Sequence, residues 1–322
     1  MKRSGSEPHP YMVLASTKDM AREQWLNARR KGIGGSDAAA VMGVNPYRSA
    51  YTVWADKLGL GLEPTETEAM RSGRDLEGYV ASRFHEETRL RVERRHAIYQ
   101  STEYPWMLAN IDRWVPAARC GLECKTSRDI RLERFKNGEY PIEYYAQCTH
   151  YMAVTGARRW FLAVLVYGTE FKIFEVERDE ADVAALVEAE RTFWHEHVLM
   201  GIAPTADGSD STKATLGALY PIDDGAFKQA RDDSILSELY AKKQVYKALE
   251  GEIQTLANTL KDEMGTAKFL AGAEYTATWR TQADNHLDKD ALLKAYPDID
   301  IDKCMKHGVK RCFCIKKEHD YA

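Results

Sequence analysis

The chain is 322 residues long, 44% hydrophobic, and carries a formal net charge of −4. That length exceeds a typical single domain, and that apolar share is enough to bury a real core. No apolar run approaches the ~20 residues that cross a bilayer, and the start from Met1 to Pro8 lacks the apolar stretch of a signal peptide, so a cytoplasmic protein is expected. Mild acidity argues against a protein that coats nucleic acid with its whole surface, but not against one that grips it at a single lined surface.

In chain order, residues 17–60 read as helices interrupted by a glycine loop, Lys31-Gly32-Ile33-Gly34-Gly35-Ser36-Asp37, preceded by Arg29 and Arg30. Ser36 is the expected N-cap of the following helix, whose start could face an anion. Tyr51–Leu58 reads as a helix ending near Gly59. Glu66–Thr88 is a longer one carrying Met70, Leu76, Val80 and Phe84 toward a core. Trp106–Val115 is expected as one strand, Pro116–Arg119 as a turn, and Cys120–Lys125 as the returning strand. Then follow a helix from Pro141 to Gly156, a buried strand Trp160–Val166, an alternating neighbour Phe171–Val176, and a helix Asp179–Met200.

Residues 205–225 read as a linker that separates a first domain, 1–204, from an extension, 226–322. In the extension Leu239, Tyr246, Ile253 and Leu260 recur every seventh residue, with Leu249 and Leu256 on the alternate seam. This describes either a coiled-coil-like helix or an amphipathic helix folded back on its own chain, ending at Gly265. Tyr275–Trp279 and Arg311–Ile315 alternate as strands. The cysteines lack the paired C-x-x-C spacing of a zinc site.

The hairpin carries the chemistry. It brings Asp112 beside Glu123, and because alternate strand residues share a face, Lys125 joins them while the side chain of Cys124 points away. Two carboxylates and an amine around one small volume suit Mg²⁺, with metal-assisted phosphodiester hydrolysis as the chemistry. Alone, the spacing favours an exposed hairpin with a cross-strand ion pair.

The chain also carries Gly73-Arg74-Asp75-Leu76-Glu77 at a helix and Tyr144-Tyr145-Ala146-Gln147 on another. In the order Arg29, Gly-Ile-Gly-Gly-Ser-Asp, Gly-x-x-x-Glu, Asp, Glu-x-Lys, Gln, residues 20–200 resemble the lambda-exonuclease family, and within it the YqaJ-type phage recombination nucleases of the PD-(D/E)xK superfamily. The resemblance implies a restriction-endonuclease-like α/β core, a mixed central sheet flanked by helices. It implies Asp112, Glu123 and the carbonyl of Cys124 as Mg²⁺ ligands (Mn²⁺ as a substitute), with Glu77 completing the acidic cluster near a second metal. Lys125 would be the water-activating amine, Gln147 would position water or phosphate, and Arg29 with Ser36 would hold a 5′ phosphate. It further implies a 5′-to-3′ exonuclease on double-stranded DNA ends that releases 5′ mononucleotides, a homotrimer, and a single-strand annealing protein as partner. An endonuclease or nickase of the same fold is the alternative reading, and a non-catalytic DNA-binding protein a third. One departure stands out: many relatives have Pro-Asp-Gly where this chain has Ile111-Asp112-Arg113.

Overall fold

The computed structural model describes residues 10–60, 67–128, 133–167, 169–301, 303, 305, 308 and 311–315. Glu66 and Cys304 lie outside them. The chain forms two compact units, Met1–Tyr220 and Pro221–Ala322.

In the first unit the elements run β1 (Tyr11–Ser16), α1 (Arg22–Arg29), β2 (Ile33–Gly34), α2 (Gly35–Val41), α3 (Ala50–Lys57), α4 (Glu68–Thr88), β3 (Ala97–Ser101), β4 (Met107–Asn110), β5 (Arg113–Val115) and β6 (Cys120–Ser127). They continue as α5 (Ile142–Thr155), β7 (Arg159–Val166), β8 (Glu170–Glu177), α6 (Glu180–Thr192) and α7 (Asp210–Leu219). The expected α/β architecture, a mixed sheet flanked by helices, is present, but as two four-stranded sheets ordered β1-β3-β4-β2 and β5-β6-β7-β8. Within each, one strand pair is parallel, β2 with β4 and β6 with β7, and the rest are antiparallel.

The single strand expected over Trp106–Val115 is therefore two, in different sheets, broken at Ile111 and Asp112. The break has a local cause. Asp112 turns its carboxylate onto the backbone N–H of Cys124 at 2.9 Å, and Ile111 is buried in the core at the crossing point. The pairing inferred for the hairpin survives, since Arg113 faces Leu122 and Val115 faces Cys120. A 3-10 turn, Pro116–Ala118, closes it, ending on Arg119 in the left-handed region.

β6 and β7 are the spine of the second sheet. Trp160, Leu162, Ala163 and Val164 are fully buried, and Phe84 of α4 packs on Phe161 at a ring separation of 5.2 Å. Gly121 is a glycine for a steric reason: a Cβ there would lie 1.9 Å from the Trp160 ring. α5 begins after Pro141 and stops at Gly156, whose φ of 70° ends the helix. It packs on α2, α6, β4 and β7. Val80 and Phe84 of α4 reach the core as expected, but Met70 is exposed and Leu76 only half-buried.

Residues 205–225, expected as a linker, hold α7. Ser209 caps it, and Ser211, Thr212 and Thr215 bond to Ser49 and Thr52 of the α3 start at 2.7–2.8 Å. Small hydroxyl side chains read as linker composition, yet here they make a side-chain hydrogen-bond cluster. The first unit runs on to Tyr220 rather than ending at 204.

The second unit holds α8 (Asp233–Met264), β9 (Phe269–Ala271), β10 (Thr276–Thr278) and α9 (Lys289–Ala295). α8 ends at Gly265 as expected, and its seven-residue seam is solvent-facing, with Tyr246, Leu249, Ile253, Leu256 and Leu260 all exposed. β9 and β10 form a two-stranded hairpin. Residues 311–315, expected as a strand, are in no strand among the described residues. No helix among the described residues is long and apolar enough to cross a membrane.

Candidate functional site

Glu123 and Lys125 share a face of β6, two residues apart, as the pleat requires. Lys125 Nζ lies 2.7 Å from Glu123 Oε1 and donates to Gln147 Oε1 at 2.8 Å. Gln147, from α5, returns its Nε2 to Glu123 Oε1 at 2.7 Å. Asp112, at the sheet crossing, takes the Cys124 N–H as a fixed donor. The structure thus brings Asp112, Glu123, Lys125 and Gln147 into one constellation. It places Glu77, from α4, at the edge of that group, ion-paired to Arg113.

The electrostatics are those of a site short of positive charge. Burial, then the neighbouring Glu123 and Glu77 carboxylates, hold Asp112 well above the usual carboxylate range. Burial also raises Glu123, against the opposing pull of Lys125. Among the described residues Glu123 Oε2 is buried without a hydrogen-bond partner, a costly state for a carboxylate unless a cation completes it. The donor set, hard oxygens from two carboxylates, fits Mg²⁺ or Mn²⁺. Among the described residues, however, no three His, Cys, Asp or Glu side chains are grouped so as to hold a metal. Glu77 lies near enough to raise both Asp112 and Glu123, and it is ion-paired to Arg113.

Lys125, expected as the water-activating amine, sits against Glu123 and Gln147. Burial disfavours its charge, but Glu123 and Asp112 outweigh burial and hold the ammonium above the usual lysine range. In this arrangement it is a charged donor, and it faces the Tyr144 ring at 5.3 Å. The thiol of Cys124 is pushed up by burial and by Asp112 and Glu123, which keeps it protonated beside the acids.

Arg29 and Ser36, seven residues apart, meet: Arg29 Nη2 donates to Ser36 Oγ at 2.6 Å. Ser36 is not the N-cap, which is Gly34. The cap's free N–H goes to Asp37 Oδ2 at 3.0 Å, so the fourth residue of the turn reaches back where a serine was expected to reach forward. The Arg29 guanidinium also lies 4.5 Å above the Trp25 ring. Trp25, Arg29 and Ser36 line one cleft together with Asn110, Asp112 and Gln147. The basic pocket and the carboxylate site are thus parts of the same concavity.

Three supporting residues escaped sequence reasoning. Asp37 is fully buried and binds Lys57 and Arg48, each at 2.6 Å, with Arg29 at 4.0 Å. Burial alone would raise it, but Lys57, Arg48 and Arg29 outweigh that and hold it far below the usual range. Tyr151 receives Gln147 Nε2 on its hydroxyl at 3.0 Å and donates to the carbonyl of Asn110 at 3.0 Å. Its spacing of four from Gln147 on one helix was the available signal. His150, on the buried side of α5, contacts Glu190 Oε1 at 2.7 Å and the carbonyl of Leu108 at 2.8 Å, which fixes the helix in rotation. Gly35 links the two halves of the cleft, since a Cβ there would sit 2.5 Å from the Tyr151 ring.

A family model described as the YqaJ-like viral recombinase domain matches residues 24–158. The uncharacterized protein YqaJ of Bacillus subtilis (strain 168) is 34% identical over 312 residues, covering 95% of this chain and 97% of that protein. Among solved structures, LHK-Exo in complex with dAMP has a TM-score of 0.48 at 24% identity, over 56% of this chain and 94% of its own. The alkaline exonuclease LHK-Exo from Laribacter hongkongensis gives 0.47 at 23% over the same shares.

Proposed function

The chain belongs to the YqaJ-like viral recombinase family, and from that membership and the cleft we propose a divalent-metal-dependent deoxyribonuclease that degrades duplex DNA from its 5′ ends. The observation that carries the reading is the shared cleft. A basic pocket of Arg29 and Ser36 opens into the same concavity as Asp112 and Gln147. A guanidinium forms parallel charge-assisted bonds to a phosphate. A terminal 5′ phosphate seated there would leave the adjoining part of the strand facing the carboxylates.

Asp112 and Glu123 are the residues to hold Mg²⁺, with Mn²⁺ as a substitute, and Glu123 Oε2 is the oxygen that lacks a partner. When bound, the ion would offset charge on the phosphoryl group and acidify a water. Gln147, fixed by Glu123, Lys125 and Tyr151, has its amide set to orient that water or the scissile phosphate. Lys125, charged and held against Glu123, supports the phosphate's negative charge. As an ammonium it could take a proton from water only after giving up one of its own. Release of 5′ mononucleotides, a cytoplasmic site of action, a homotrimer and a single-strand annealing partner complete the proposal.

The test uses purified full chain with linear and covalently closed duplexes, with and without Mg²⁺. Mg²⁺-dependent loss of linear DNA from its 5′ ends is expected, abolished in Asp112→Asn and Glu123→Gln. Efficient cutting of closed circles would favour the endonuclease reading. A folded Asp112→Asn protein with parental activity would end the site assignment.

A further inference from the structure

Arg113 stands where the sequence departs from Pro-Asp-Gly, and its side chain is not idle. The residue is only 8% exposed. Its Nη1 donates to the carboxylate of Glu77 and, at 2.7 Å, to the backbone carbonyl of Asp112. A guanidinium is rigid, permanently charged and without an acceptor, so in this position it acts as a fixed cation. It enters the site through the backbone of a proposed metal ligand and holds the one acidic side chain that could serve a second ion.

The three carboxylates therefore divide. Glu77 is paired in place with Arg113 and Glu123 Oε1 with Lys125, while Glu123 Oε2 has no partner among the described residues. Lys125 and Arg113 together leave the group of three acids with one uncompensated negative charge. One divalent ion turns that deficit into a modest excess, suited to a phosphodiester. A second ion placed at Glu77 would lie against a guanidinium in a partly buried setting, where like charges repel strongly. We propose that Arg113 takes the place of a second divalent cation, so that each chain binds one metal ion, at Asp112 and Glu123. The inference rests on the metal-dependent reading above and revises it in the number of ions.

Mn²⁺ binding to the full chain without DNA, counted by equilibrium dialysis and by the loss of free Mn²⁺ signal in electron paramagnetic resonance, tests it. One ion per wild-type chain is expected, and none in Asp112→Asn. Arg113→Gln should gain a second ion, bound at least tenfold more tightly than any second ion in wild type. The double variant Arg113→Gln/Glu77→Gln should lose it again. Two ions of comparable affinity in wild type overturn the proposal, as does a folded Arg113→Gln protein that still binds one. If Arg113→Gln does not fold, the wild-type count alone decides. A wild-type chain that binds no Mn²⁺ overturns the metal-dependent reading and this inference with it, a result distinct from two.

Discussion

Replacing Asp37 by Asn removes the charge that two buried or half-buried cations share. Asp37 and the Lys57 side chain are 0% and 1% exposed, and Arg48 is held by the same carboxylate. Breaking a buried pair by removing one partner costs about 3–5 kcal/mol, because the survivor is left charged without compensation. For a unit the size of Met1–Tyr220, each kcal/mol lowers Tm by roughly 2–4 °C, so the variant should melt about 6–20 °C lower. The pH dependence gives a second reading. Asp37 is depressed in the folded state, so its contribution is present above the unfolded carboxylate pKa of about 3.9 and is lost as pH falls below it. The variant lacks that acid-side loss. Burial lowers Lys57 despite Asp37, and without the carboxylate its folded pKa falls further. The deficit of Asp37→Asn should therefore shrink as pH rises toward the range where lysine deprotonates. Thermal melts of wild type, Asp37→Asn and Asp37→Asn/Lys57→Met between pH 3 and 10 measure all of this. The double variant, with both charges gone and Arg48 still on Asp56, should recover part of the loss. A drop below about 2 °C, or a double variant no better than the single one, would refute the buried-charge account.

Gly35→Ala should force the Tyr151 ring aside and loosen Gln147, lowering the single-turnover cleavage rate about tenfold or more and stability by about 1–3 kcal/mol; a parental rate in a folded variant would show that the contact is slack. Arg29→Ala should remove most of the preference for 5′-phosphorylated over 5′-hydroxyl ends while Mn²⁺ binding persists, and an unchanged preference on end-labelled duplexes would place the phosphate elsewhere. Because Asp112 and Glu123 are raised in the folded state, the metal-free protein should lose stability as pH rises from the ordinary carboxylate range through their folded values. At pH 8 Mg²⁺ at a hundred times its Kd should restore about 2.7 kcal/mol in wild type and nothing in Asp112→Asn, read as a Tm shift; an equal shift in both would move the metal off this site.

The site was legible in the sequence where local rules decide it. Asp112, Glu123 and Lys125 come together because strand alternation and one short turn bring them together. Gln147 was legible through the family resemblance, on a helix bounded by Pro141 and Gly156, whereas Tyr151, one turn further along that helix, was missed. What was not legible depends on partners distant in the chain. Nothing in Trp106–Val115 says that it changes sheets at Asp112, since both halves alternate as strands and the switch is set by β3 and β6. β1 is apolar on both faces and shifts register between Val13 and Ala15, and β2 is only two residues long, so neither shows an alternating period. α7 was hidden because its buried face uses hydroxyls in place of apolar side chains. The seam of α8 was legible as a pattern, and its residues lie exposed along the helix.

A weak net charge conceals a strong separation of charge along the cleft. At the Arg29 end, Arg29, Arg48 and Lys57 stand against the carboxylates of Asp37 and Asp56, three cations to two acids. At the other end, Asp112, Glu123 and Glu77 stand against Lys125 and Arg113, three acids to two cations. A concavity with low-dielectric walls focuses such a difference more than an open surface does. In the proposed function an anionic strand terminus would be drawn to the first end and a divalent ion to the second. Asp37 matters to this arrangement although the cleft lining does not include it. By binding Lys57 and Arg48 it keeps their excess charge buried and fixed, and leaves Arg29 as the guanidinium that opens to the cleft beside Ser36. Polarity of digestion would then be a property of where the two charge excesses lie, and moving the Arg29 charge should alter where cleavage starts before it alters how fast the bond breaks.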